Sequence, residues 1–276
     1  MIPVDKIVPF EGHPYKVLDD DSMNELIESV QNSGILEPIT VRPLENTENY
    51  EIISGHRRYH AAKKAGITEV PAFIRAVSRD EAAVMLVDSN LHREKILPSE
   101  KAFAYKLKYE ALSHQGTSRQ VDAKMRTSEE MAITADDSAR QIQRYIRLTY
   151  LIPELLEMMD EGKIAFSVGV ELSFLDHDRQ RDILRSMQIN DCTPSYSQAV
   201  RMHKAARAEG IGLDEIQEIL QEEKANQKMT MKIPFERIRK IVPFEFDSKE
   251  AEDYVVKALE YYHRFLMKKR ERENER

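Results

Sequence analysis

The sequence predicts an α+β chain: a small N-terminal α/β unit, an all-α bundle containing a helix-turn-helix, and a C-terminal helical region. Three observations carry this. Strand-like segments ("PITVRP", "YEIIS", "EVPAFIRAV") are confined to the stretch ahead of Arg79 and alternate there with amphipathic helical patterns. Beyond Arg79 strand signals almost disappear, and capped helical segments follow one another. At 276 residues the chain exceeds the usual single domain, and 41% hydrophobic content gives each unit a core. The expected domains are 1–95, 96–209 and 210–276.

Ser22 with Glu25 makes a capping box, Leu26, Ile27 and Val30 form a stripe, and Gly34 supplies a stop, so Ser22–Ser33 reads as a helix. "PITVRP" and "YEIIS" follow as strands, "RRYHAAKKAG" as a helix ended by Gly66, and "EVPAFIRAV" as a third strand interrupted by Pro71. "RDEAAVMLVDSNLHRE" is helical, and Pro98 opens the next helix, which stops at Gly116. "TSRQVDAKMR" lacks apolar periodicity and reads as a loop; Thr117–Arg126 suggests no function. Bundle-type helices are expected at Ser128–Thr134, Ser138–Tyr150, Pro153–Asp160, Ser167–Leu175, Arg179–Met187 and Ser195–Ala208. "GIGL" reads as a linker, Asp214–Asn226 as a helix, "KMTMKIPFERIRKIVPF" as a strand pair or extended link, and Ser248–Arg272 as a final long helix.

Composition excludes several classes. A charged fraction of 32% and a mean hydropathy of −0.55 describe a well-solvated chain. No apolar run reaches the ~18 residues of a membrane span, and the N-terminus lacks a signal-type pattern, so a cytoplasmic protein is expected. The single cysteine, Cys192, excludes an internal disulfide framework and reads as a bystander. Eight histidines form no cluster with metal-ligand spacing, and no nucleophile motif is present. A net charge of −7 argues against general nucleic-acid affinity, but the local field matters more than the sum.

That field is basic in "DDSARQIQRYIRLTY". Ser138 with Gln141 gives a capped start, and Arg140, Arg144 and Arg147 fall within about 60° of one another on one face. Ile142, Tyr145, Ile146 and Thr149 lie opposite. Gln141 and Gln143 flank the arginines with amides able to read base edges. A short helix capped by Thr127 with Glu130 precedes it, separated by a turn; this is the pattern of a helix-turn-helix. The alternative is a solvated helix whose arginines pair with acids elsewhere.

Two further stretches suit phosphate. In "YEIISGHRRYHAAKKAG" a strand runs through Gly55 into a helix start, where backbone amides and the helix dipole favour an anion and Arg57 and Arg58 add donors. In "VDSNLHREKILPSE", Asn90, Arg93 and Glu94 share one helix face and suit a phosphate with its magnesium. An arginine pair alone is equally a solvated helix surface.

In order and approximate spacing, "HPYKVLDDDSMNELIESVQNSGILEPITVRP", "ISGHRRYHAAKKAG", "VDSNLHREKILPSEKAFAY" and "SARQIQRYIRLTYLIPELLEMMDEGKIAF" resemble the ParB family of DNA partition proteins across Ile7–Leu175. The resemblance implies an N-terminal nucleotide-binding domain, a central helix-turn-helix for a palindromic centromere-like site, and a C-terminal dimerisation region. It further implies CTP with magnesium, a sliding clamp on DNA, possible weak CTP hydrolysis, a ParA-type ATPase partner and association with a nucleoid or plasmid.

By position, Gly55, His56, Arg57 and Arg58 would contact the triphosphate, with Ser89, Asn90, Arg93 and Glu94. Asn90 and Glu94 would hold the metal, and "GILEPI" would lie near the base. Ser138, Arg140, Gln141, Gln143, Arg144 and Arg147 would face DNA. Two departures stand out: His56 where the family has Glu, and Ser89 where it has Glu ahead of Asn. Both remove acids, which leaves room for a ParB-like transcription regulator without a nucleotide switch. A small ATP-using phosphotransfer enzyme on the same fold is the other alternative, although its sulfiredoxin-like form needs a cysteine where His56 stands.

In the last helix Tyr254, Ala258, Tyr261 and Phe265 recur at heptad-like spacing beside Val255, Leu259, Tyr262 and Leu266. The stripe is either a homodimer interface or a face packed on its own domain. The tail "KKRERENER" reads as a solvated end or a nonspecific DNA contact.

Overall fold

The computed structural model describes residues 1–91, 93, 95–115, 121–208, 210–222, 238–239, 241–243 and 248–274. The architecture is α+β, with a small N-terminal sheet region and a helical remainder. Two compact units are present, residues 1–222 and 223–276. Helix α4, described below, contributes to cores formed with residues on either side of position 95, and α11 joins the main helical core.

Strands β1 (Ile2–Pro3), β2 (Ile7–Val8), β3 (Ile39–Pro43), β4 (Tyr50–Ser54), β5 (Glu69–Val70) and β6 (Ala72–Ile74) form two sheets. The larger has the order β2-β4-β3-β6, with β3 antiparallel to β4 and the other two pairings parallel. The smaller pairs β1 with β5, so Ile2 faces Val70. "EVPAFIRAV" therefore divides at Pro71. Proline donates nothing to a ladder, its carbonyl accepts from Ile39 N–H at 3.0 Å, and the residues on either side join different sheets.

Helix α1 (Asp21–Ser33) is capped by Asp20, not Ser22: the Asp20 carboxylate accepts from Met23 N–H at 2.9 Å, and Ser22 donates to it at 2.8 Å. With α2 (His56–Lys64) it covers one face of the larger sheet, where Met23, Val30, Ile39, Ile52, Ala61 and Ala62 are buried. Ile53, next to Ile52 and so on the opposite face, packs with Phe10, Tyr15, Ala82 and Leu86 of α3 (Arg79–Leu91) and Ala104 of α4 (Pro98–Gln115). The same α4 gives Tyr105 to a cluster with Met131 and Ile142, and Ala102 to the main helical core.

That core is built by α6 (Ala139–Leu148), α7 (Pro153–Asp160), α8 (Phe166–Leu172), α9 (His177–Asn190), α10 (Tyr196–Ala208) and α11 (Leu213–Gln221), with α5 (Val121–Thr134) packed on α4 and α6. Residues 121–126, expected as loop, belong to α5; Thr127 is therefore inside a helix and buried, and does not cap one. Residues 117–120 and most of "KMTMKIPFERIRKIVPF" lie outside the described residues. Ile211, Ile216, Ile219 and Leu220 pack on α9, which carries the helical core past the expected linker. Helix α12 (Ser248–Asn274) belongs to the second unit and exposes Leu259, Tyr261, Tyr262 and Phe265.

Asp160, the last residue of α7, ties these layers together. It accepts from Ser99 N–H at 2.9 Å and from the Ser99 hydroxyl at 2.5 Å, at the start of α4, and pairs with the Lys16 ammonium at 3.3 Å. Lys16 N–H also donates to Glu100 at 2.8 Å.

Candidate functional site

Strand β4 passes into α2 through Gly55, whose φ of +100° lies in the region that side chains disfavour. A Cβ there would meet Ile39 Cγ2 at 2.8 Å, so glycine alone fits. The first helical bond is Tyr59 N–H to Gly55 O at 3.0 Å, and no side chain caps the helix. The amides of residues 56–58 thus start α2 without an intrahelical acceptor, the arrangement that suits an anion.

Arg57 donates to Ser22 at 2.7 Å, bringing it to the start of α1. Arg58 donates to Glu37 O at 2.6 Å and Pro38 O at 3.1 Å, and pairs with the Glu37 carboxylate at 3.3 Å. "GILEPI" therefore lies against the junction. His56 accepts from Phe10 N–H at 3.4 Å and packs against His13, the rings tilted by 32° with centroids 3.7 Å apart. Burial, helped by the fields of His13 and Arg93, pushes the His56 imidazole down to about 3. Burial likewise lowers His13 to about 4, and Arg93 adds to the effect. Both rings are neutral near pH 7. The Arg93 guanidinium lies 5.5 Å over the ring of Tyr15, whose buried hydroxyl has no hydrogen-bond partner among the described residues.

Residues from three segments meet here: Gly55 to Arg58, Arg93, and the loop carrying His13 and Tyr15. His13 and Tyr15 were not singled out by chemistry in the sequence; they stand only inside "HPYK". Ser89 and Asn90 turn onto their own helix instead. Asn90 donates to Leu86 O at 2.7 Å and to Ser89 at 3.2 Å, and Ser89 donates to Leu86 O at 3.0 Å. Glu94 lies outside the described residues.

On α6 the cap is as expected: Ser138 accepts from Gln141 N–H at 3.3 Å. Ile142 and Leu148 are buried, and Tyr145, Ile146 and Thr149 are half-buried. The arginine face is not uniform. Ser138, Arg140 and Gln143 are exposed, with Gln143 donating to Ser128. Arg144 lies 4.9 Å over Phe166 and donates to Gln141 at 3.1 Å. Arg147 is turned into the fold: it donates to Ser173 O at 2.6 Å and sits 4.2 Å from the Phe174 ring and 4.5 Å from Tyr150. Burial lowers its pKa. The outward cationic surface is the N-terminal half of α6.

Among the described residues no helix is long and apolar enough to cross a membrane, and no group of three His, Cys, Asp or Glu is placed to hold a metal.

Residues 1–91 match the model of the ParB N-terminal domain. The chain is 34% identical over 163 residues to the chromosome-partitioning protein Spo0J of Thermus thermophilus, covering 59% of this chain and 55% of that one. It is 32% identical over 161 residues to a probable chromosome-partitioning ParB of Coxiella burnetii, covering 58% and 51%. It thus spans about half the length of these curated relatives. A solved structure of C-terminally truncated ParB from Caulobacter crescentus, complexed to the centromeric parS site, matches with a TM-score of 0.42 and 20% identity over 79% of this chain and 97% of that one. Residues 1–91 thus match the ParB N-terminal domain, and over about 160 residues the chain is similar to ParB-type partition proteins.

Proposed function

We propose that this chain is a ParB-type partition protein that binds a centromere-like inverted repeat through α5 and α6 and a nucleoside triphosphate, CTP, at the Gly55 junction. The observation that carries the reading is the junction itself: a helix start that only glycine can occupy, with Arg57, Arg58 and Arg93 beside it, inside the domain that matches ParB. The amides of 56–58 would cradle phosphate oxygens, Arg57 and Arg58 would exchange present contacts for bidentate ones, and "GILEPI" would border the base. On α6, Ser138, Arg140, Gln141, Gln143 and Arg144 would meet the major groove, while Arg147 would fix the helix in place.

As the family resemblance implies, the chain would act as a homodimer joined through α12, close as a clamp on DNA near the nucleoid or a plasmid, and work with a ParA-type ATPase. The test is equilibrium binding of labelled CTP, ATP and GTP, each with and without duplexes carrying candidate inverted repeats. Selective CTP binding strengthened by one duplex supports the reading; tight ATP binding without any DNA effect refutes it. A second reading, a regulator that binds DNA without nucleotide, is favoured by His56 and Ser89, which stand where the family has acids. Specific DNA binding with no nucleotide binding would select it.

A further inference from the structure

We propose that Asp137 is a positioning residue for DNA recognition: held by Tyr105 and Lys101 of α4, its carboxylate fixes where α6 begins and so where the base-reading side chains stand. This rests on the DNA-binding reading above and deepens it. Asp137 immediately precedes Ser138, the cap of α6. Its Oδ2 accepts from the Tyr105 hydroxyl at 2.7 Å and pairs with the Lys101 ammonium at 2.5 Å. Hydrogen bonds to an ionised group at such distances are among the stronger ones a protein makes. Tyr105 is fully buried and the Asp137 side chain is 17% exposed, so little water competes for them. The same ammonium lies 4.9 Å from the ring of Tyr145, on α6 itself, and 5.7 Å from that of Tyr105. The two rings meet edge-on with centroids 5.7 Å apart.

The holder is itself held. Ser99 and Glu100, just ahead of Lys101, bond to Asp160 and to Lys16 N–H. Along α6 the anchors differ in kind. Ile142, in the middle, is buried with Tyr105 and Met131, and apolar burial is non-directional. Arg147, near the far end, donates to Ser173 O, and Asp137 bonds the near end to α4; these two contacts are directional. A single peptide, about 3.8 Å between Cα atoms, separates Asp137 from Ser138. The exposed Ser138, Arg140 and Gln143 stand on the turns next to that anchored end. Base edges are read through hydrogen bonds that weaken steeply when misaligned, so slack at Asp137 costs specific contacts first. Attraction to phosphate tolerates such slack, and a Lys101 freed of its carboxylate would add to it.

The probes are a duplex selected by the full chain from a random-sequence pool and a scrambled duplex of the same composition. Tyr105→Phe, which removes one hydroxyl and no charge, should weaken binding to the selected duplex about tenfold and leave the scrambled one within about twofold. Asp137→Ala should weaken the first by a similar factor and bind the second at least as well as the parent, because Lys101 is left uncompensated. The double variant should fall within about twofold of the weaker single one, since both changes break one contact. Circular dichroism checks that each variant keeps the parent fold; if Asp137→Ala does not fold, Tyr105→Phe decides by the same criterion. A parallel fall of both affinities, full additivity in the double variant, or selected-duplex binding within about twofold of the parent overturns the proposal. If the parent selects no sequence, the DNA reading fails with it, whereas selection kept by every variant sinks the proposal alone.

Discussion

Gly55→Ala perturbs two things that can be measured apart. The backbone at φ +100° lies outside the space a side chain favours, which costs about 1–2 kcal/mol. The new methyl would also sit 2.8 Å from Cγ2, 3.1 Å from Cβ and 3.3 Å from Cα of Ile39, a fully buried residue of β3. Crowding a packed core in this way costs about 1–3 kcal/mol. The unfolded chain loses some freedom, which returns about 0.4–1 kcal/mol, leaving a net loss of about 1–4.5 kcal/mol. Urea unfolding followed by circular dichroism would read this directly. In an Ile39→Ala background, itself weakened by about 2–5 kcal/mol, Cγ2 is gone, and Gly55→Ala should cost about 1 kcal/mol less than in the parent. A loss under about 1 kcal/mol in the parent chain, or an equal loss in both backgrounds, would refute the account of why glycine stands here.

Three other predictions follow from the same geometry. Arg58→Ala should abolish nucleotide affinity and leave static DNA recognition intact, while Arg144→Ala should do the reverse; retention of nucleotide affinity by Arg58→Ala would misplace the triphosphate. Arg147→Ala should lower stability by about 1–3 kcal/mol in urea, since it removes contacts to Ser173, Phe174 and Tyr150. Arg140→Ala should leave stability within about 0.5 kcal/mol and reduce the salt slope of DNA binding by about 1. The reverse assignment between these two arginines would show that Arg147, not Arg140, faces DNA. Finally, His56 is held at about 3, below its ordinary value of 6.5, so on acidification the unfolded chain takes up a proton first. Stability present above that ordinary value is then lost as pH falls toward the folded one. Between about pH 6 and pH 4, His56→Gln should flatten the curve by up to about 1 kcal/mol per pH unit after allowing for partial exposure, and parallel curves would contradict this.

The elements readable in advance were those whose signals are local. Strand β4 alternates Ile52 and Ile53 between two cores, and α7 begins at a proline and was expected with the bounds it has. Strands β1 and β2 escaped notice because each has two residues and owes its pairing to distant partners, Val70 and Tyr50. Helix α5 escaped in part because its start has no apolar period; Met131 earns burial only against Tyr105 and Ile142 of other helices. At the site, Gly55, Arg57 and Arg58 were legible as a glycine and two arginines at a strand-to-helix junction. His13 was not, since its ring contact with His56 is created by tertiary folding. Helical arithmetic put Arg147 beside Arg140 and Arg144, but the groups that turn it inward, Ser173 and Phe174, come from the end of α8 and just beyond it, which no helical period can foresee.

The Asp160 junction bears on how the chain is made. Ser99 and Asp160 are 61 positions apart, and at about 5–20 residues per second a ribosome needs roughly 3–12 s to travel between them. For that interval the nascent α4 lacks the carboxylate that later receives its first amide, and Lys16, already emerged, lacks the same partner. The two older segments converge on a group that arrives last. The N-terminal sheet region is therefore fastened to the helical bundle late in synthesis, and a ribosome stalled before α7 would hold both parts without that fastening.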